Sequence, residues 1–176
     1  MTKFQKIALA ASRIALGWMF FYAGITKVMN PEWSAAGYLK GAKTFGGFYD
    51  LFLNPQVLPV INFLNEWGLT LVGISLILGI FTRLSSVVGA GLLMLYYFPT
   101  LGSLPEGTMT SLSGYFPFNL GLYPDTHSFI VDSHILEALA VLIVGAFRAG
   151  RVFGLENWCS NLPLCRRWYE TRNWLG

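Results

Sequence analysis

Four long apolar stretches constrain the fold more than any other feature of this sequence. They cover residues 7–29, 57–81, 84–101 and 129–147. A membrane-spanning helix needs about 20 mainly apolar residues, because it rises about 1.5 Å per residue across about 30 Å of hydrocarbon. Barrel strands alternate apolar and polar residues, whereas these runs are continuous. We therefore predict an all-α, polytopic membrane protein, a bundle of four transmembrane helices forming a single domain over residues 1–176.

The distribution of basic residues predicts the orientation of the bundle. If both termini are cytoplasmic, nine of the twelve Lys and Arg residues lie on the cytoplasmic side, as the positive-inside rule requires. Residues 148–176 then form a cytoplasmic interfacial tail. This charge attracts anionic lipid headgroups, and no basic nucleic-acid-binding face is present in the sequence. The expected partner is the lipid bilayer, with no nucleic acid.

The connections between the stretches carry further predictions. Residues 31–55 are predicted to form a short amphipathic helix or a re-entrant piece at the outer interface. Residues 102–128 could fold as a lid over the bundle. Thr82 and Arg83 are predicted to form a tight turn that makes the second and third spans an antiparallel hairpin. Three aromatic residues end the third span: Tyr96, Tyr97 and Phe98. We predict that they belong to an aromatic belt at the outer interface rather than stack on a quinone ring.

A few ionisable residues lie inside the apolar stretches and are the candidates for a functional site. A charge at the centre of a membrane costs about 2.5–3.5 kcal/mol or more, so such residues usually pair or face a wet cavity. With both termini inside, all of these residues except Arg13 fall in the outer half of the membrane. Arg13 lies nearer the cytoplasmic end and could snorkel or bind a backbone carbonyl. The candidates are Arg13, Lys27, Glu66, Asp132, His134 and Glu137.

Helical spacing places several candidates on shared faces. One face of the first span carries Arg13, Gly17, Phe20, Gly24 and Lys27. A matching face of the second span carries Asn62, Glu66, Thr70 and Gly73. Glycines on such a face let a neighbouring helix or a ligand approach closely. On the fourth span, His134 lies one helical step from Glu137, whereas Asp132 is about 200° round the helix from His134 and is expected to serve a different face.

The sequence resembles the DoxX/DoxD family over roughly residues 7–155. The resemblance lies in the first span from Arg13 to Lys27 (RIALGWMFFYAGITK), the segment WSAAGYLKG, the motif Asn65-Glu66-Trp67-Gly68, and His134. It implies a four-helix inner-membrane protein, the family being named for the DoxD membrane subunit of an archaeal thiosulfate:quinone oxidoreductase. The family pattern carries over onto these positions: Arg13, Gly17, Gly24, Lys27, Glu66 and His134.

Two interpretations of the charged residues stay open. In the functional one, the catalytic residues Glu66, His134 and Glu137 exchange protons with a quinone or a small oxidised-sulfur compound, and three others bind the substrate: Arg13, Lys27 and Asp132. In the structural one, the pairs Lys27–Glu66 and His134–Glu137 lock the helix register.

The sequence contains no haem-attachment motif, GxGxxG, HExxH or multi-cysteine cluster, so no metal site is predicted. Cys159 and Cys165 fall in the predicted cytoplasmic tail and are expected to be free thiols. The leading hypothesis is therefore a membrane subunit of a quinone-linked oxidoreductase complex, in which other membrane or peripheral subunits supply the electrons. The alternative is a non-catalytic accessory subunit of a larger respiratory or photosynthetic complex.

Overall fold

The structure, a computed structural model, describes residues 1–42, 45–100 and 131–155. Within these ranges 78% of the residues are helical and there is no strand. The helices are α1 (Lys3–Val28), α2 (Ala36–Lys40), α3 (Gly46–Asp50), α4 (Leu58–Leu78), α5 (Thr82–Thr100) and α6 (Ser133–Ala146). Short 3-10 turns follow α3 and α6, at Leu51–Leu53 and Ala149–Arg151. The all-helical prediction is confirmed for the described residues.

Two of these helices, α1 and α4, are long and apolar enough to cross a membrane. At 1.5 Å per residue, the 26 residues of α1 extend about 39 Å and the 21 of α4 about 31 Å. The other two predicted spans correspond to α5, with 19 residues, and to α6, with 14. Many large apolar side chains point outward, among them Trp18, Leu71 and Leu139, each more than half exposed. Such a surface suits hydrocarbon better than water.

The long helices pack as two close pairs. Helix α1 lies along α4, and α5 lies along α6, while α4 meets α5 less extensively. Four of the five residues on the predicted face of α1 are buried, Arg13, Gly17, Phe20 and Gly24; Ala10 is buried with them, and Lys27 is half-buried. Thr70 and Gly73 are buried on the facing side of α4. Spacing alone therefore predicted the α1–α4 contact correctly.

The turn between α4 and α5 lies slightly earlier than predicted. Gly79 ends α4 with a φ of 70°, a left-handed conformation that favours glycine, and its N–H donates to the carbonyls of Ser75 and Leu76. Thr82 and Arg83 are already the first residues of α5. The antiparallel hairpin is confirmed, but the prediction that these two residues form the turn is wrong, because the glycine cap reverses the chain before them.

The connection from α1 to α4 folds as short helical pieces, α2, α3 and a 3-10 turn, with a small core of its own. Ala35, Leu39 and Tyr49 are buried there, with Phe52 and Ile61 packed against them. The structure therefore favours short helices over a single re-entrant piece. The predicted lid over residues 102–128 and the cysteines of the predicted tail lie outside the described residues.

Candidate functional site

Lys27, near the end of α1, is the centre of a polar group inside the bundle. Its Nζ donates to Asn65 Oδ1 at 2.8 Å and to the hydroxyl of Tyr96 at 2.9 Å. The ammonium also lies 4.8 Å from the ring centroid of Trp33 and 5.0 Å from that of Tyr96. A cation within about 6 Å of an aromatic face is attracted to it. Two neutral hydrogen-bond partners and two ring faces thus compensate for the burial of this charge.

A cavity of about 110 Å³ adjoins this group. Helices α2 to α5 all contribute to its wall, which is mainly aromatic and aliphatic. Asn65 and Tyr96, the two hydrogen-bond partners of Lys27, provide polar groups in that wall. The other lining residues include Trp33, Leu39, Tyr49, Phe52, Ile61 and Leu92. The cavity is therefore an apolar space with one polar end.

Two tyrosines from the α1–α4 connection fasten it to the end of α5. The hydroxyl of Tyr49 donates to the carbonyl of Leu95 at 3.1 Å, and the hydroxyl of Tyr38 donates to the carbonyl of Tyr96. Pro99 lies inside α5 and has no N–H, so the Leu95 carbonyl lacks its usual helical donor. The Tyr49 hydroxyl supplies that donor. The proline thus creates the attachment point for the wall of the cavity.

Burial raises the pKa of both phenols. For Tyr38 the neighbouring phenols of Tyr49 and Tyr96 and the charge of Asp132 raise the pKa further. Both hydroxyls therefore stay protonated, as hydrogen-bond donation requires.

Asp132 begins α6 rather than lying within it. Its backbone is extended, with φ −95° and ψ −176°, and its Oδ1 accepts from the Ile135 N–H at 3.1 Å, as an N-cap does. Its Oδ2 lies 2.8 Å from Nδ1 of His134. Asp132 is 1% exposed, whereas the His134 side chain is 32% exposed.

These contacts correct two expectations for the fourth span. Asp132 was expected to face away from His134, which assumed helical geometry at both positions. Because Asp132 is the cap, its side chain folds back onto His134 instead. His134 was expected to pair with Glu137, but among the described residues the carboxylate that its ring contacts is that of Asp132. Glu137 is half-buried one turn further along and interacts with both residues through its charge.

The expected Lys27–Glu66 ion pair is not formed within the described part of the chain. The Glu66 side chain is half-buried and acts on Lys27 through its charge rather than by direct contact. The backbone carbonyl of Glu66 accepts from the Thr70 hydroxyl at 2.7 Å. The residue that reaches Lys27 is its neighbour Asn65. The predicted stripe thus identified the correct helix but the wrong side chain.

Arg13 lies at the opposite end of the bundle, about 21 Å from Lys27 along α1. It is 1% exposed, and its Nη1 donates to the carbonyl of Ala149 at 2.7 Å and to that of Val152 at 3.3 Å. Its Nη2 donates to the carbonyl of Phe153 at 3.4 Å. Of the two alternatives for Arg13, snorkelling or binding a backbone carbonyl, the structure has the second. The structure places it in a clamp that holds the chain after α6, away from the cavity.

Sequence reasoning missed most of the residues that surround Lys27. Tyr96 was expected to belong to an interfacial belt, but its hydroxyl and ring both face Lys27, and Tyr97 is buried. That expectation is therefore wrong for these two residues, while Phe98 is 38% exposed and remains consistent with a belt. The available signal was their depth, since Asn65, Tyr96 and Lys27 all fall near the same level of the bundle.

Among residues 1–42, 45–100 and 131–155, no group of three or more His, Cys, Asp and Glu side chains could hold a metal ion. Comparison with known proteins gives one family. The family model described as DoxX matches residues 8–100, which is more than half of the chain. No curated protein and no solved structure matches. The match includes Lys27 and every residue that lines the cavity, from Trp33 to Tyr96. Because the family model covers more than half of the chain, the chain belongs to the DoxX family.

Proposed function

We propose that this DoxX protein binds the ring of a quinone in the aromatic cavity and acts as the membrane subunit of a quinone-linked oxidoreductase complex. The observation that carries the proposal is an apolar cavity with two polar lining residues, Asn65 and Tyr96, that are both held by the half-buried ammonium of Lys27. An engineered cavity of about 150 Å³ accepts benzene. The space here, about 110 Å³, is somewhat smaller, so we propose that it accepts one small flat ring when its lining side chains adjust.

The polar end has the hydrogen-bonding character that a quinone needs. Quinone carbonyls only accept hydrogen bonds. Because the ammonium of Lys27 can only donate, it fixes the Asn65 amide with its oxygen toward Nζ, which leaves the amide NH₂ to donate elsewhere. The Lys27 charge would also stabilise negative charge that develops on a quinone oxygen during reduction. Lys27 is therefore proposed to position the donors and stabilise the reduced ring.

Reduction of a quinone to a quinol takes two electrons and two protons. We assign the proton route to the acidic and imidazole groups at the start of α6, since histidine exchanges protons near neutral pH. Asp132 and His134 form the contacting pair, and Glu137 and Glu66 are further members. Electrons are assigned to a donor in another membrane or peripheral subunit.

The proposed topology is four spans in the inner membrane with both termini cytoplasmic. The Lys27 end of α1 meets the Tyr96 end of α5, and the end of α6 lies against the start of α5, where a Cβ on Gly145 would stand 2.7 Å from Ser86 Cβ, as antiparallel spans require. The excess of basic residues on the other side favours a cavity near the outer leaflet. Helix α6 extends only about 21 Å, so the bilayer would thin or its flanking residues would complete the span.

Quinone binding to variants in nanodiscs tests the site. Tyr96→Phe and Asn65→Ala should each weaken binding of a benzoquinone probe by about tenfold, because each removes a donor worth about 1.4 kcal/mol. Tyr22→Phe is the matched control, since Tyr22 is 60% exposed on the outer surface of α1. Unchanged affinity in both site variants, with an unchanged melting temperature, would refute quinone binding in this cavity.

Cysteine labelling tests the topology. In a variant with Cys159 and Cys165 replaced by serine, single cysteines are placed at Gln5 and Ser34, both exposed. A membrane-impermeant maleimide added outside intact cells should label Ser34→Cys and spare Gln5→Cys. Labelling of Gln5→Cys but not of Ser34→Cys would show that the orientation is the opposite of the proposed one. Labelling of both cysteines would refute the proposed topology.

One observation favours the second candidate, a non-catalytic accessory subunit. Lys27 already has two hydrogen bonds and two ring contacts within the chain, so the group can serve stability alone. This candidate predicts that Tyr96→Phe leaves quinone affinity unchanged and lowers the yield of a larger complex. Mass spectrometry of the complex purified from native membranes separates the two functions.

A further inference from the structure

A second apolar space lies along the same pair of helices as the aromatic cavity. It is a groove of about 470 Å³ between α4 and α5, toward the Gly79 turn. Its volume falls within the range of roughly 300–1,000 Å³ that is typical of ligand sites. From Gly68 to Leu78 its α4 side extends about 15 Å. The groove is open laterally, where Leu71, Leu84 and Val88 are each at least 43% exposed.

The groove and the cavity are consecutive along both helices. On α4, Asn65 lines the cavity and Gly68, one turn later, lines the groove. On α5, Leu92 lines the cavity and Val88, one turn earlier, lines the groove. At the boundary, a Cβ built on Gly68 would stand 3.7 Å from Leu92 Cδ1. A Cβ at that distance would be in ordinary van der Waals contact, so Gly68 places no side chain between the groove and Leu92 of the cavity wall.

The polar groups in the groove are already satisfied. Ser85 donates its hydroxyl hydrogen to Ser75 Oγ at 2.6 Å, and the Ser75 hydroxyl donates to the carbonyl of Ile80. The remaining lining is aliphatic, with Phe81 at the turn. A groove of this kind offers no unmet hydrogen bond to a polar ligand. Its chemistry suits a hydrocarbon chain.

We propose that the α4–α5 groove holds the hydrocarbon tail of the ligand whose ring occupies the aromatic cavity, with Gly68 as the passage between them. The ligand is therefore an amphipathic molecule with one ring-sized head and a long apolar chain. This inference rests on the proposed function and adds the tail site to it. Gly68 and Val88 become determinants of tail selectivity that contact no polar part of the ligand.

The test compares two probes, a tailless benzoquinone and its decyl-substituted analogue, on the full-length protein in phosphatidylcholine nanodiscs. Gly68→Leu and Val88→Phe each fill the groove from one side. Each should weaken binding of the decyl analogue about tenfold, because the tail loses packing contacts with the groove. Tailless binding should be unchanged in Val88→Phe, since Val88 lines the groove and not the aromatic cavity. Gly91→Leu is the matched control, since a Cβ on Gly91 meets nothing within 4 Å.

The outcomes separate the two proposals. Unchanged affinity of the decyl analogue in both groove variants overturns the tail site, as does an equal loss for both probes in Val88→Phe. Tailless binding that disappears in Tyr96→Phe but not in Val88→Phe preserves the proposed function whatever the tail does. If neither probe binds the wild type, the proposed function fails and the tail site fails with it. Should Gly68→Leu not fold, Val88→Phe carries the test, because its side chain already points out of the core.

Discussion

Replacing Gly24 with alanine should loosen the α1–α4 contact and the Lys27 group together. A methyl at Gly24 would stand 2.9 Å from the carbonyl oxygen of Glu66 and closer still to the amide nitrogen and hydroxyl of Thr70. Non-bonded carbon contacts are comfortable only at about 3.5 Å or more, so α1 would have to move away from α4 by about 1 Å. Gly24 is one turn from Lys27, so this movement reaches the Lys27–Asn65 bond.

Two costs follow from that movement. Overpacking of a close interface costs about 1–3 kcal/mol. A 1 Å shift would stretch the 2.8 Å bond from Lys27 to Asn65 beyond hydrogen-bonding distance, and a bond from a charged group contributes about 1.5–3 kcal/mol. The expected loss is at least about 2 kcal/mol of unfolding free energy. For a chain of this size that lowers the melting temperature by about 4–8 °C.

Thermal unfolding in detergent, followed by tryptophan fluorescence, measures this loss. Gly91→Ala is the control, because a methyl there meets nothing within 4 Å and α5 should keep its stability. Quinone affinity, measured on the same samples, should fall for Gly24→Ala and not for the control. A Gly24→Ala protein that melts within 1 °C of Gly91→Ala would refute the reasoning, since the two helices would then tolerate a separation that the contact distances exclude.

Three further predictions concern other parts of the molecule. Arg13→Met should lower the free energy of unfolding by about 3–5 kcal/mol, because several backbone carbonyls lose a charged donor. Limited proteolysis of this variant should cut within residues 148–155. The loss of stability in Arg13→Lys should be intermediate. The pKa of Tyr38 is higher in the folded protein than in the unfolded chain. The stability that the protonated Tyr38 hydroxyl contributes is therefore fully present below about pH 10 and is lost as the pH rises through the pKa of the folded state. Between about pH 8 and about pH 11, the melting temperature of Tyr38→Phe should fall less steeply than that of the wild type. Asp132→Ala should lose about 1 kcal/mol through the missing helix cap, whereas Asp132→Asn should recover most of it, as thermal unfolding would show.

The main helices were predictable because their signals are local and redundant. Continuous apolar runs predicted α1 and α4, and a regular spacing of small residues predicted the face of α1 that is buried from Ala10 to Gly24. The start of α6 was harder to locate. An aspartate before an apolar run is both an ionisable residue in a membrane segment and a good N-cap, and only the second role sets the direction of the Asp132 side chain.

The partners of Lys27 could not be predicted in the same way. They lie 38 and 69 positions further along the chain, on two other helices. Periodicity gives the face of a helix but not which of two neighbouring residues a long side chain reaches. Asn65 and Glu66 are about 100° apart on α4, and the charge of Glu66 made it the obvious choice. The structure shows that the neutral amide lies closer to the ammonium.

The two basic residues of α1 differ in a way that explains why a polar binding site forms at the Lys27 end of the bundle. Arg13 uses its planar fork on several backbone carbonyls, a task for which guanidinium geometry is suited. Lys27 is a compact charge whose direct partners within the described residues are neutral: an amide oxygen, a phenol and two ring faces. A cation whose bonded partners carry no negative charge keeps its field available to a ligand in the adjoining cavity. Negative charge that forms on a bound ring would be stabilised there, and this favours a ligand that is reduced in place over one that is only held.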